Sequence, residues 1–289
     1  MWIFVGIISG LFDALKDMPG KKALKDASPY LFLFAYSAFS LPFLLIAIPW
    51  LGIAPVNSTF WWATIAGSLT NVVAMILYAK ALQGGELSLT VPLMAFVPVF
   101  MLLTSRIMLG ESPGFLGVIG IILVVAGAYT LRLNRENGVL GPFKNLARDK
   151  SALFMLGVAV IGSINSNWDA IAVRNSSPLT YLIFFQIINL AAIVPLIYFR
   201  SRGKFNEVKT RWKLLFLVGL FAAFSLFASM SNLTLTMVPY ANALKRTGIL
   251  FSIIIGFIVF KERKNIQPKL LGAVIMIAGV LFIAATANE

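Results

Sequence analysis

Tyr240-Ala-Asn-Ala-Leu-Lys-Arg-Thr-Gly-Ile-Leu-Phe-Ser-Ile-Ile-Ile-Gly-Phe-Ile-Val-Phe260 decides how the chain is read. As one helix it is long enough to cross a bilayer, yet it carries two adjacent cations, Lys245 and Arg246. Counting about 1.5 Å per residue from Tyr240, the pair lies roughly 8–9 Å into the helix, in the outer half of the membrane. A single charge at that depth costs at least about 2.5–3.5 kcal/mol on insertion scales. Two in a row call for water, counter-ions or a ligand. Neighbours on a helix point about 100° apart, so both heads reach one cavity only if the helix borders a wide one. The alternative is that both pair with carboxylates or snorkel outward.

The rest of the chain supplies the solvent for this helix. It is 59% hydrophobic and 12% charged, with a mean hydropathy of +0.89, against about 25% charged residues in a soluble domain. The expected fold class is an all-α membrane protein. There is no Cys, which excludes disulfides and thiolate metal sites. There is no His, so the commonest metal ligand and general base are missing. Neither a metal nor a cofactor is expected. The net charge of +13 suggests nucleic acid at first sight, but the basic residues lie in short loops between apolar segments. That is a topology pattern, not a binding face. The opening Met-Trp-Ile-Phe-Val has no basic n-region and is read as a first span rather than a signal peptide.

Ten apolar segments of about 20 residues can be drawn. In the first half they are Trp2 to Lys16 or beyond, the stretch after Ser28-Pro29 to Trp50, Phe60–Leu82, Leu87–Leu109 and Pro113–Leu133. A polar connector, Asn134–Lys150, follows. The second half holds Ser151–Val173, the stretch after Ser177-Pro178 to Phe199, Leu214–Val238, the Lys245-Arg246 helix, and Pro268–Ala287. In this threading 20 of the 24 Lys and Arg fall on one side of the membrane, and only Arg106 and Arg174 on the other. The positive-inside rule makes the basic side cytoplasmic and puts both termini outside, as expected in a prokaryotic inner (plasma) membrane.

The chain also repeats itself. Gly110-Glu111 ends the fourth segment as Lys261-Glu262 ends the ninth, and Gly120/Gly127 in the fifth match Gly272/Gly279 in the tenth. Ser28-Pro29 and Ser177-Pro178 each open the second helix of a half. Five segments per half force the second half to enter from the opposite face. The basic loops agree, following the first and third helices of half one but the second and fourth of half two. The expected arrangement is ten helices in two inverted five-helix repeats, residues 1–133 and 151–289, joined by a cytoplasmic connector at 134–150. Such duplications place a substrate site near the midplane between the halves.

Leu77-Tyr-Ala-Lys-Ala-Leu82, Pro92-Leu-Met-Ala-Phe-Val-Pro98 and Leu109-Gly-Glu-Ser-Pro113, with the Gly-rich segment after it, resemble the drug/metabolite transporter superfamily, EamA-type. The resemblance covers nearly the whole chain. It implies two five-helix repeats and a transporter of amino acids, metabolites or toxic compounds. Plastid phosphate translocators belong to the same superfamily and carry a Lys-Arg pair in the ninth helix that binds substrate phosphate. Lys245-Arg246 resembles that pair.

Lys245 and Arg246 therefore lead the candidate substrate-binding residues. An ammonium beside a guanidinium fork suits phosphate or carboxylate oxygens. Asn242, one turn before Arg246, could add a donor. Asp13 lies about 16 Å into the first span. It is read either as a proton acceptor or counter-ion of the cation pair, or as part of a local cluster with Lys16 and Asp17. Asn165-Ser-Asn-Trp-Asp169 is polar enough to line a cavity, and the resemblance puts this part of the helix at the centre. Asn167 and Trp168 are the expected contacts, and Asp169 is expected to cap the helix end. Asn71 and Asn232 could line the same space, with Ser229 and Ser231 beside Asn232, or serve only as interhelical hydrogen bonds. The glycine stripes, including Gly6-x-x-x-Gly10, read as packing faces. Pro42, Pro92 and Pro98 read as kinks. Trp50, Trp61, Trp62 and Trp212 read as interfacial anchors, and Glu111 and Glu262 as surface ion pairs rather than gates.

The leading expectation is a secondary transporter of small organic anions, phosphorylated metabolites among them, working by alternating access. The alternative is an exporter of amino acids or other neutral or zwitterionic metabolites or drugs. A non-transport alternative is a membrane assembly or receptor-like protein. No nucleotide-binding motif is present to couple ATP, and without His or Cys the chain is not expected to be an enzyme. Expected partners are a small-molecule substrate, membrane lipid and, at most, a second copy in a homodimer.

Overall fold

A computed structural model describes residues 1–23, 29–84, 91–132, 149–200, 210–259 and 266–286. The sequence expectations for Ser28, Glu262 and most of the 134–150 connector lie outside these residues. The described chain is helical throughout: α1 (Trp2–Ala23), α2 (Pro29–Ile46), α3 (Ile48–Leu51), α4 (Ser58–Gly84), a 3₁₀ turn (Val91–Phe96), α5 (Val97–Leu109), α6 (Phe115–Arg132), α7 (Lys150–Arg174), α8 (Pro178–Arg200), α9 (Trp212–Leu235), α10 (Val238–Lys245), α11 (Gly248–Val259) and α12 (Ile266–Ala285). Six stretches, Ser58–Tyr78, Pro92–Leu109, Lys150–Arg174, Pro178–Pro195, Trp212–Leu235 and Val238–Ile258, are long and apolar enough to cross a membrane.

The surface is what a lipid solvent requires. Large apolar side chains such as Ile107, Leu69, Val274 and Leu281 are well exposed, and in water such a surface would aggregate. Polar side chains are turned inward instead, among them Ser37, Ser40, Thr64, Ser105, Asn167, Gln186 and Asn189. Trp50, Trp62 and Trp212 project outward near helix ends, as anchors do. Trp61 instead packs edge-on against Phe184 at 4.9 Å.

Helix starts and stops follow local chemistry. Asn57 Oδ1 accepts from Phe60 N (2.8 Å) at the start of α4, and Asp149 Oδ1 from Ser151 N (2.8 Å) at the start of α7. Both satisfy backbone donors that a helix leaves unpaired. Gly110, at φ 70°, closes α5 in the left-handed conformation that glycine adopts without a Cβ clash.

Three packings dominate: α12 on α6, α4 on α7, and α1 on α9. Lipid tails are as apolar as leucine, so such pairs are held by close van der Waals fit rather than by the hydrophobic effect. The α6–α12 pair shows how. A Cβ on Gly127 would lie 2.7 Å from Gly272 O, and one on Gly279 2.7 Å from Gly120 O. The two glycine pairs that match in sequence spacing thus face each other across one seam.

Two stretches expected as single helices are broken. The fourth segment begins as the 3₁₀ turn and becomes α-helical only at Val97, with Pro98 in the first turn of α5. The Tyr240–Phe260 segment stops at Lys245 and restarts at Gly248. Across the gap the amides of Arg246, Thr247, Ile249 and Leu250 each bond three residues back, at 2.9–3.1 Å. Thr247 Oγ1 also donates to Leu244 O at 2.7 Å. The tightened turn, with a side chain competing for a backbone carbonyl, replaces the ordinary ladder.

Candidate functional site

The break places the cation pair at a helix junction. Lys245 is the last residue of α10, Arg246 and Thr247 form the turn, and Gly248 starts α11. Helix α1 lies directly against this turn. A Cβ on Gly10 would fall 2.7 Å from Gly248 N and 2.9 Å from Lys245 O, so only hydrogen fits there. Gly6, Ser9, Gly10 and Asp13 recur at helical spacing and form one stripe of α1. Both flanking partners of α1, α9 on one side and the α10–α11 junction on the other, come from the second half of the chain.

Asp13 sits at the C-terminal end of that stripe. It takes Lys16 Nζ at 2.7 Å, and Ser225 Oγ of α9 approaches the same oxygen at 3.4 Å. Lys16 is also 3.6 Å from Asp17 and lies 5.2 Å over the Tyr36 ring. The local cluster expected from the i, i+3/i+4 spacing is therefore formed. Asp13 makes its ion pair with Lys16, while Lys245 and Arg246 stand within electrostatic reach of it. Lys245 feels Asp169 as well, from the α7 side. Two carboxylates thus flank one ammonium.

Asn232 lies towards the Gly6 end of the α1–α9 seam. It is only 1% exposed, and neither its Nδ2 nor its Oδ1 has a hydrogen-bond partner among the described residues. Its amide presses on Gly6, where a Cβ would come within 2.8 Å of Nδ2. A buried amide without partners is costly and uncommon. It has the capacity to meet a polar ligand atom or water. Asn242, half-buried on α10, donates back to Val238 O at 3.2 Å.

The remaining expected residues lie elsewhere. Asn167 is fully buried between α7 and α5. It donates to Thr104 Oγ1 (3.0 Å) and Ser163 O (3.0 Å) and accepts from Ser105 Oγ (2.7 Å). Its polar atoms are taken up in tying those helices together. Trp168 packs beside the largest apolar cluster, its Cβ 3.3 Å from where a Gly67 Cβ would sit. Asn71 donates to Asn189 Oδ1 at 2.6 Å, linking α4 to α8. The structure therefore gathers Asp13, Lys245, Arg246 and Asn232 around α1, whereas Asn167 and Asn71 are engaged by neighbouring helices.

Two sequence readings need correcting. Asp169 does not cap a helix end. It is buried in α7 five residues before Arg174, accepts a hydrogen bond from Tyr181 Oη, and has Asn165 Nδ2 at 3.4 Å from both carboxylate oxygens. Glu111 is not a surface group either, with its side chain only 10% exposed and held by Arg174 and Val238 N. Ser225 was overlooked, although its spacing from Ser229 and Asn232 marks one face of α9. No group of three or more metal-ligating side chains occurs among the described residues.

A bundle of apolar helices with ionisable groups gathered at a broken helix is an arrangement in which membrane transporters hold charged substrates. The model of the EamA-like transporter family matches residues 1–133 and 149–285, and the chain belongs to that family. Its general function is secondary transport. A crystal structure of another protein is similar over 99% of this chain and 97% of its own, with a TM-score of 0.79 and 15% identity, which shows a shared fold. No curated protein matches the chain significantly.

Proposed function

We propose that this transporter carries small organic anions, phosphate esters included, on Lys245 and Arg246, by alternating access of two inverted five-helix repeats. The reading rests first on one observation. The apolar Tyr240–Phe260 segment is broken at its Lys245-Arg246 pair, and α1 packs so closely on the break that a Cβ at Gly10 would not fit. Discontinuous helices at the interface of repeats are where transporters of this type hold charged substrates.

Supporting the repeats, α4 on α7 and α1 on α9 are equivalent pairs: the third helix of one half packs on the first of the other. The α6–α12 pair joins the two fifth helices, and the breaks fall in the fourth helix of each half. In this scheme residues 134–150 form the cytoplasmic connector and both termini lie outside. Substrate oxygens take the Lys245 ammonium and Arg246 guanidinium, charge-assisted contacts stronger than neutral hydrogen bonds. Asn232 supplies a donor to the same ligand. Asp13 competes for the cations when the site is empty, so substrate binding exchanges one anion for another.

A second reading follows from Asp13 and Asp169 both lying within reach of Lys245. Carboxylates beside a cation could also receive an ammonium, so the substrate would be zwitterionic, such as an amino acid.

The test is thermal stability of purified protein against phosphate esters, dicarboxylates, amino acids and nucleobases. A ligand that binds only the folded state stabilises by about 2.7 kcal/mol at 100 times its Kd. Anions are expected to stabilise wild type but neither Lys245→Ala nor Arg246→Ala. Stabilisation by amino acids alone, lost in Asp169→Asn, would select the second reading. Equal responses in wild type and both cation variants would reduce the pair to a structural role.

A further inference from the structure

Glu111 and Arg174 come from different halves and meet where α5, α7 and α9 end. Glu111 Oε1 takes Arg174 Nη2 at 2.7 Å. Its other oxygen, Oε2, accepts from Val238 N at 2.7 Å, the first amide of α10. Arg174 in turn donates from Nε to Leu233 O (2.9 Å) and from Nη2 to Thr236 O (3.1 Å), carbonyls at the end of α9. One ion pair therefore stitches the end of α9 to the start of α10. Gly110 makes this possible, since its left-handed turn ends α5 and directs Glu111 across the junction.

α10 is only eight residues long, and Lys245 is its last. The outer end is held by Glu111, and the inner end abuts Gly10. Three more contacts between the halves close the same end of the molecule. Asn57 Nδ2 donates to Asn175 Oδ1 (3.0 Å), Ala54 N donates to Thr180 Oγ1 (2.9 Å), and Trp2 stacks on Tyr240 of α10 at 5.9 Å.

We propose that Glu111 and Arg174 form a latch that closes the outer side of the transporter and positions α10, so that opening this side and moving Lys245 are one event. The proposal rests on the alternating-access reading. Its physical basis is that the latch binds backbone, not only charge. When the halves separate at this end, Glu111 leaves the Arg174 guanidinium and the α10 amide together, while Arg174 stays on the α9 carbonyls of its own half. The junction then loses two bonds between charged or charge-assisted partners, each stronger than a neutral hydrogen bond.

The chain has no cysteine, so a single introduced thiol reports accessibility directly. Asn242→Cys lies on α10, and Ala128→Cys lies in the fully buried α6–α12 seam. Each is reacted with a hydrophilic maleimide in nanodiscs, with and without Glu111→Ala or Arg174→Ala. The latch variants should label Cys at 242 about tenfold faster, the size expected from losing one charge-assisted bond, and leave Cys at 128 unreactive. The swapped pair Glu111→Arg/Arg174→Glu should stay as fast as the single variants, because neither new side chain satisfies the backbone partners. Unchanged labelling at 242, equal increases at both positions, or restoration by the swap would each overturn the proposal. Labelling that responds as expected while wild type moves no compound in flux assays would retain the latch and reject the transport scheme.

Discussion

The α1–α9 seam and the α4–α7 seam are built alike and finished differently. In each, a helix from one half lays a glycine-containing face against a helix from the other. Along α4–α7, Thr70 donates to Asn165 (2.9 Å), Asn165 lies against Asp169, and Asp169 accepts from Tyr181. Asn71 is closed off by Asn189. Along α1–α9, Asn232 has no partner among the described residues, Asp13 shares its charge with Lys16, and two more cations stand nearby. One seam is a completed polar network that fixes two helices. The other is more open, with an amide that has no partner among the described residues beside a cluster of ionisable groups. Buried polar groups are tolerated when satisfied and expensive when not, so the open seam is where a ligand gains most.

The strongest way to break this comparison is Lys245→Ala. Losing a charged contact from a desolvated site costs about 2–5 kcal/mol. Anion affinity, read by titration, should therefore fall at least about thirtyfold. Asn71→Ala should change it less than about twofold.

Next in size is Asp13→Asn, which acts in two directions. It removes the 2.7 Å partner of Lys16 and should lower folding stability by about 1–2 kcal/mol, a buried-pair loss reduced by partial exposure of Asp13. It should also tighten anion binding several-fold, because a competing carboxylate is gone. Weaker binding in Asp13→Asn would show that the carboxylate helps hold substrate and does not compete with it.

The smallest and sharpest contrast lies between two asparagines. Asn232→Leu removes an unsatisfied amide and should leave the ligand-free protein as stable as wild type or up to about 1 kcal/mol more stable. It should also reduce the stabilisation by anions. Asn71→Leu leaves Asn189 Oδ1 without its donor and should destabilise by about 1 kcal/mol without touching the ligand response. Equal losses of stability in both variants would erase the distinction between the seams. Melting curves with and without anion distinguish these outcomes.

Much of the site was legible as single residues and little of it as an arrangement. Lys245 and Arg246 stand out because charges inside an apolar segment are expensive wherever they fall. Asp13 with Lys16 and Asp17 could be read from helical spacing alone, and the contact exists at 2.7 Å. Asn167 was a reasonable candidate by type, but type does not distinguish an amide that meets ligand from one bonded to Thr104 and Ser105. Asp169 lies four residues before the expected end of its segment, which suggested a cap, but its side chain turns inward to Tyr181 and Asn165. Glu111 looked like a surface group because its partners, Arg174 and Val238 N, are 63 and 127 residues away.

The sequence by itself determined that this is a helical membrane protein, where its cations are concentrated, and which segments are small-residue faces. Each of those rests on local terms: transfer of side chains into lipid, helical periodicity, and the cost of buried charge. Tertiary structure alone decided that the Tyr240–Phe260 segment breaks at Lys245, that Gly10 touches that break, and that Asn232 is left without partners. These depend on which backbones approach so closely that a side chain would not fit between them. Close approach between helices is set by packing across the whole bundle.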